Sequence, residues 1–399
     1  MDVMFYADIE TATGRKLGSG PIELLSWESD TRLSQVGTFR LLASASDEQR
    51  GNIQEKRVTK CYAITSSGPI EIGSGIIDAK GLNPSSDGNM TLSVEGDGIS
   101  SELSNRNAKF TKLESDGNGI SHGQAVTTLT TLLPDGWTLT PDRNPPNNDV
   151  YFQFAGETLL EACAKVAELS GSEFYINGRK LIFQSTWTPT GLTAIEVPEA
   201  PDIEDESTCY IVSFGLKDDS YDLVTRIYPY GNDLSTGLID LSLSTRTNSG
   251  DYIIDSVENC IRNARLETEY GIIERLRHYR EIKPLADTSA DRVSAANTLF
   301  DTALSELKRD GQVARFYEIE VIGCPQLLRP MQSIRVIFRR TADGEIIESI
   351  NEDLNIIEAT TRIDNRGLRT SRLTVSNTKR PAIRDTDPLV KIAKQAKRV

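Results

Sequence analysis

The chain has 399 residues, of which 44 are Lys or Arg and 58 are Asp or Glu, for a formal charge of −14. That length exceeds what one hydrophobic core usually serves, so two or more packed units are expected, and the acidic excess argues against tight, sequence-independent binding to a phosphate backbone. No stretch approaches 18 uninterrupted apolar residues, and Met1-Asp2-Val3-Met4-Phe5-Tyr6-Ala7-Asp8 has neither a basic start nor an apolar core, so neither a membrane-spanning helix nor a secretion signal is expected.

Residues 1–98 read as short strands broken by Gly and Ser turns, among them 21–27, 37–43, 60–65 and 75–79. Phe39, Leu41 and Ala43 share one face of the second. So many short strands argue for a β-barrel or a sandwich. From 99 to 200 the pattern is mixed. Ser121 looks like the N-cap of a helix reaching Leu133, ended by Pro134-Asp135-Gly136, and a strand restarts at Trp137-Thr138-Leu139. The Pro- and Asn-rich stretch from Thr140 to Asp149 reads as loop. A helix over about 157–169 sets Leu159, Leu160, Cys163, Val166 and Ala167 on one face and stops at Ser170-Gly171. Strands at 173–176 and 179–183 then flank Asn177-Gly178, a hairpin signal in which both turn positions favour φ > 0.

Residues 196–206 hold six acids, two prolines and no base, which predicts a solvated linker at a domain border. Beyond it a second β-rich region opens at Cys209, with strands at 210–214 and 223–231. Two predicted helices interrupt it, about 255–270 stopped by Gly271 and 289–310 stopped by Gly311. In the latter Val293, Ala296, Phe300, Ala303, Leu304 and Leu307 form one stripe. Strands resume at 316–322, 333–338 and 354–360, with a hairpin near Asp343-Gly344. From Lys379 to Val399 seven bases face only Asp385 and Asp387, a basic tail on an acidic body. The five cysteines, Cys61, Cys163, Cys209, Cys260 and Cys324, are an odd number, widely spaced and without a CxxC pair, so buried free thiols made in a reducing cytoplasm are expected.

In order and texture this chain resembles the hub proteins at the distal end of tailed-phage tails and of related contractile injection systems. The resemblance is carried by Ser26-Trp27 followed by Gly37-Thr38-Phe39-Arg40-Leu41, by the stretch from Lys60 to Asp78 with Gly73-Ser74-Gly75-Ile76-Ile77, and by the helix and hairpin from Glu157 to Phe183. It continues through Val224 to Asn232, read as the strand opening a second barrel, Tyr252 to Glu274 as a helix-and-strand insertion, and Leu327 to Val336 as returning barrel strands. The fold it implies is α+β and β-rich: two tail-tube-like β-barrel modules flanking a mixed α/β domain with a helical insertion. The first barrel would occupy 1–98, the mixed domain 99–200, and the second barrel 201–245 and 313–378. The insertion, 246–312, would pack with the mixed domain, and 379–399 would be the basic tail.

The resemblance also implies a role: a structural, non-enzymatic hub of a virion tail, assembled in the host cytoplasm. Three copies would close head to tail into a homotrimer whose six barrels adapt the sixfold tail tube to a threefold distal spike or fibre. The tail tube or distal tail protein, the tape-measure protein and the spike or fibre protein are its implied partners. Genomic DNA would be met only in transit through the channel, where carboxylates lining the lumen would repel it and let it slide. Related chains with a peptidase or fibre extension continue well past this point, whereas this sequence stops at Val399, so no appended enzyme is expected.

The chemical motifs are sparse. Gly119-Ile120-Ser121-His122-Gly123 matches the G-x-S-x-G nucleophile elbow, but the polar run Glu114-Ser115-Asp116-Gly117-Asn118 precedes it where a buried strand belongs, so helix capping by Ser121 is favoured over nucleophilic attack. His122 and His278 have no metal-binding spacing, and no nucleotide or calcium motif is present, so no catalytic residue, metal or cofactor is expected. In the tail, Leu389, Lys391, Ile392, Lys394, Lys397 and Arg398 belong to an amphipathic helical pattern that could dock on a partner; a frayed terminus is the competing reading. The alternatives to a hub are a tip-associated cell-wall hydrolase using carboxylates with Ser121 and His122, and a receptor- or carbohydrate-binding β-module stacking sugars on Trp137 or Trp187.

Overall fold

The computed structural model describes residues 4–377 except 66–67, 85–89, 117, 146–147, 198–205, 220–222, 235–236, 256, 312–313 and 343–344. The chain divides into two compact units, one of residues 1–101, 187–217 and 315–399, the other of residues 102–186 and 218–314. The fold is β-rich α+β.

Unit one is built on a twelve-stranded sheet that closes on itself twice. The strands Phe5–Glu10, Val58–Thr65, Gly68–Pro84, Met90–Gly98, Thr38–Ser44 and Lys16–Arg32 follow one another in that order, and the last pairs back onto the first through Tyr6↔Glu23 and Glu10↔Lys16. The second circuit runs Glu345–Ile363, Gln332–Ala342, Thr188–Glu196, Thr208–Asp219, Ala314–Ile322 and Arg369–Ser376, which returns to Glu345–Ile363 through Asn355↔Ser376 to Ile363↔Arg369. Every strand of the first ring sends residues into one apolar cluster, including Ile9, Leu24, Phe39, Leu41, Cys61, Ile77 and Val94. The second ring has its own cluster, with Ala194, Ile211, Ile319, Val336, Leu354 and Val375. Alternation at period two lets one face of each strand enter a core while the other faces outward.

Several expected strands are longer than the sequence suggests. Gly18-Ser19-Gly20-Pro21 does not separate strands: the Lys16–Arg32 strand runs through it, with the register slipping between Ala7 and Ile9 of the partner. Gly68–Pro84 likewise runs through its glycines, bulging opposite Cys61 and Tyr62. In the first of these Gly18, with φ 86°, lies in the irregular stretch, whereas the extra residue of the second is Ile72.

Among its described residues unit two holds three smaller sheets and three main helices. Glu173–Asn177 and Lys180–Gln184 form the expected hairpin, extended by the parallel strand Thr138–Thr140. Its turn is Gly178-Arg179 rather than Asn177-Gly178: Asn177 pairs with Lys180, and only Gly178 has positive φ, at 57°, as a turn with glycine in its first central position requires. Helix Leu159–Ser170 closes at Gly171 in the left-handed region and helix Ser289–Asp310 spans the residues the sequence predicts; Thr158 and Thr288 cap their N-termini, which the sequence reading did not name. Leu160 and Val293 sit at the half-buried margins of the predicted stripes.

Two expectations are corrected. The segment 255–270 is mostly not helix: Tyr252–Asp255 and Cys260–Asn263 form a hairpin turning at Asn259, whose φ is 54°, and only Ala264–Tyr270 is helical, stopping at Gly271. The strand Arg226–Asn232 does not open the second ring. It lies in a five-stranded sheet of unit two beside Leu238–Ile239, Cys260–Asn263 and, in parallel, Glu274–Tyr279. The strand that does enter the second ring ahead of Thr208–Asp219 is Thr188–Glu196, paired with it in parallel through Thr193↔Thr208. The acidic stretch therefore joins two strands of one ring, although its residues 198–205 lie outside the described residues.

Candidate functional site

The two rings of unit one meet strand to strand. The C-terminal half of Lys16–Arg32 pairs with Glu345–Ile363 from Trp27↔Ile363 to Arg32↔Glu358. The seam uses the second edge of residues already paired inside their rings: Trp27 to Ser29 pair with Thr38–Ser44 and Glu358 to Ile363 with Arg369–Ser376. Arg32 Nε lies 2.6 Å from Asp30 Oδ2 and 2.8 Å from Glu358 Oε1, joining both strands by charge. Burial pushes the Glu358 carboxyl up, and the Arg32 guanidinium opposes the shift. Trp27, fully buried, stacks on Phe39 at 5.4 Å and donates from Nε1 to Ser29 Oγ at 3.0 Å, so the strand that carries the seam is anchored in the first core.

Helix Ser289–Asp310 of unit two buries four carboxylates, Asp291, Asp301, Glu306 and Asp310. Each has partners. Asp291 accepts from Tyr151 and from Thr288, and these hydrogen bonds hold its carboxyl below the usual range. Arg246 forks onto Asp301, with Nε 3.1 Å from Oδ1 and Nη2 2.6 Å from Oδ2, and reaches Asp149 at 3.1 Å. Tyr279 donates to Glu306 Oε2 at 2.8 Å, and Arg275 bridges Glu306 and Asp310. Buried charges of this kind persist only when paired and hydrogen-bonded. The sequence reading did not single these acids out, because by helical period Asp301, Glu306 and Asp310 lie off the predicted apolar stripe, where a solvated carboxylate is the ordinary expectation.

The candidate catalytic residues do not assemble a reactive centre. Ser121 caps helix His122–Thr130 in a reciprocal capping box with Gln124: its hydroxyl donates to Gln124 Oε1 at 3.0 Å, and its N–H donates to the same oxygen at 2.9 Å. His122 is buried, with Nδ1 3.0 Å from Ser170 Oγ and Nε2 accepting from the Asp142 N–H at 3.4 Å. Burial lowers its pKa, partly countered by Asp142, so both ring nitrogens of a neutral imidazole are committed to structural partners. His278 pairs with Asn232 Oδ1 at 2.8 Å and stacks on Tyr230. No group of three or more His, Cys, Asp or Glu suited to a metal occurs among the described residues. Trp137 is buried and donates to Glu102 Oε2 at 2.7 Å, which leaves no free ring face for a sugar; Trp187 is half-buried. Leu389, Lys391, Ile392, Lys394, Lys397 and Arg398 lie outside the described residues.

No protein-family model matches the chain, and no curated protein does. Among solved structures, the chain is similar to prophage MuSo2 43 kDa tail protein from Shewanella oneidensis, at 14% identity and TM-score 0.56 over 93% of this chain and 98% of that one. It is also similar to the tail protein from Neisseria meningitidis MC58, at 12% identity and TM-score 0.55 over 94% and 97%. Prophage tail protein gp18 from Listeria monocytogenes EGD-e matches at 12% identity and TM-score 0.53 over 99% of both chains. At these identities the likeness establishes a shared fold along nearly the whole chain.

Proposed function

We propose that this chain is a structural hub of a phage tail tip. The observation that carries the reading is the pair of six-stranded rings joined edge to edge within one polypeptide, in a fold shared with three tail proteins. Each ring acts as a tail-tube-like barrel, so three copies closing head to tail present six barrels around one axis. Such a collar continues a sixfold tail tube on one side and offers a threefold platform to a spike or fibre on the other, with a central channel for DNA. Tail tube or distal tail protein, tape-measure protein and spike or fibre are the partners of this reading. The commitment of Ser121 and His122 to capping and packing supports a non-enzymatic role.

Native mass spectrometry of the purified 44.0 kDa chain tests the reading. A species of three chains is expected. A chain that stays monomeric at every concentration, and beside purified tail tube protein, contradicts it.

A further inference from the structure

We infer that Cys209 and Cys324 form a dithiol–disulfide pair, a covalent staple that oxidation closes across the second ring. The strands Thr208–Asp219 and Ala314–Ile322 are neighbours in that ring. A methyl group placed on Gly215 would touch Glu318 at 3.8–3.9 Å, and one placed on Gly323 would touch the Tyr210 ring at 3.3 Å. These two contacts fix an antiparallel register, and Cys324, two residues past the end of its strand and just beyond Gly323 with φ 72°, comes level with Cys209. Facing residues of an antiparallel pair fall within the Cα separation that a disulfide spans. Both cysteines belong to the same buried cluster, with Cys209 fully buried and Cys324 7% exposed, and their thiols lie against each other. The other three cysteines are elsewhere: Cys61 in the first ring, Cys163 and Cys260 in unit two.

The chemistry needs an oxidant, and a small disulfide such as oxidised glutathione supplies it. Cys324, the less buried of the two, attacks one sulfur of the oxidant as thiolate and releases one reduced glutathione. Cys209 then attacks the Cys324 sulfur and expels the second. Two S–H bonds and the glutathione S–S bond break, while one protein S–S bond and two glutathione S–H bonds form. Both electrons end on glutathione. The neighbouring thiol and burial disfavour the Cys324 thiolate, whereas the Arg369 guanidinium favours it; Arg369 also donates to the Cys324 carbonyl.

The position gives the staple a purpose. Residues 218–314 make up the second segment of unit two, and the two cysteines flank that excursion in sequence, at the far ends of the two strands that lead to it and come back from it. Closing the pair would bind a loop on the order of 115 residues, the regime in which a cross-link restricts the unfolded chain most. Its biological occasion rests on the tail reading, in which a protein made reduced in a cell later leaves it; the chemical claim stands without that reading.

The test uses the full-length protein, incubated with oxidised glutathione a few degrees below its melting transition, then alkylated, digested and mapped by mass spectrometry. The expected product has lost the mass of two hydrogen atoms, links the peptides of Cys209 and Cys324, and leaves Cys61, Cys163 and Cys260 as alkylated thiols. Its melting temperature should rise by roughly 5–10 °C, reversibly with reductant. Recovery of Cys209 and Cys324 as separate thiols or as separate glutathione adducts, while the same treatment in urea modifies all five cysteines, would overturn the inference. So would a disulfide joining either one to another partner. Neither result bears on trimer formation, so the two readings fail independently.

Discussion

Arg246 shows how a single residue can hold unit two together. It spans Asp301 and Asp149, and its fork onto Asp301 neutralises a carboxylate whose pKa burial pushes upward. Asp301→Asn keeps the shape but removes the charge that Arg246 needs. Because Arg246 retains some solvent contact, the expected loss is about 2 kcal/mol, below the full cost of orphaning a buried ion. Urea unfolding of the variant checks this, and an unchanged midpoint would contradict it. His122 makes a pH-dependent contribution. Its folded-state pKa lies below the ordinary 6.5, so the unfolded chain binds the proton more readily. Its contribution is therefore complete above the unfolded value and is lost as pH falls toward the folded one, at up to about 1.4 kcal/mol per pH unit. Thermal melts from pH 7.5 to 5.5 should fall more steeply in the native protein than in His122→Gln. Parallel slopes would show that the imidazole is not the titrating group.

Among the elements, glycine positions separate packing from propensity. A side-chain carbon on Gly96 would sit 1.9 Å from the Ile76 carbonyl oxygen, a backbone atom that cannot swing aside. Gly96→Ala should cost the first ring about 2–3 kcal/mol through forced backbone shifts. Gly123, in helix His122–Thr130, has nothing within 4 Å of such a carbon, and Gly123→Ala should stabilise unit two by about 0.5 kcal/mol. Chemical denaturation of the two variants should move in opposite directions; a common direction would contradict the packing assignment. Elements with complete local signals were legible in the sequence. Ser289–Asp310 carries a stripe and a terminal glycine, and its observed bounds are the predicted ones. Segment 255–270 was misread because its charges and aliphatics fit a helical period, while the Asn259 turn that makes it a hairpin depends on one residue adopting positive φ. Strand ends blurred where a strand ran on through its glycines instead of turning at them. Ser121 was legible as a cap because the capping box is local. The buried acids and the Cys209 and Cys324 pair were not, because their partners lie far away in sequence.

At the scale of the whole molecule, the account depends on chain connectivity. Thr188–Glu196 and Thr208–Asp219 share one ring with strands from residue 314 onward, so the second ring is assembled from two distant parts of the sequence. No run of local signals announces that arrangement, and only the order of motifs suggested it. The long strands Lys16–Arg32 and Glu345–Ile363 then fix one ring against the other by continuous pairing, a rigid coupling that a tube adaptor requires. Cryo-electron microscopy of the protein assembled on its tail tube measures the proposed consequence most directly. The account predicts three chains around an open channel, with six barrel densities in one collar and two contributed by each chain. Six chains in that collar, or three chains whose two rings sit at different heights along the axis, would contradict it.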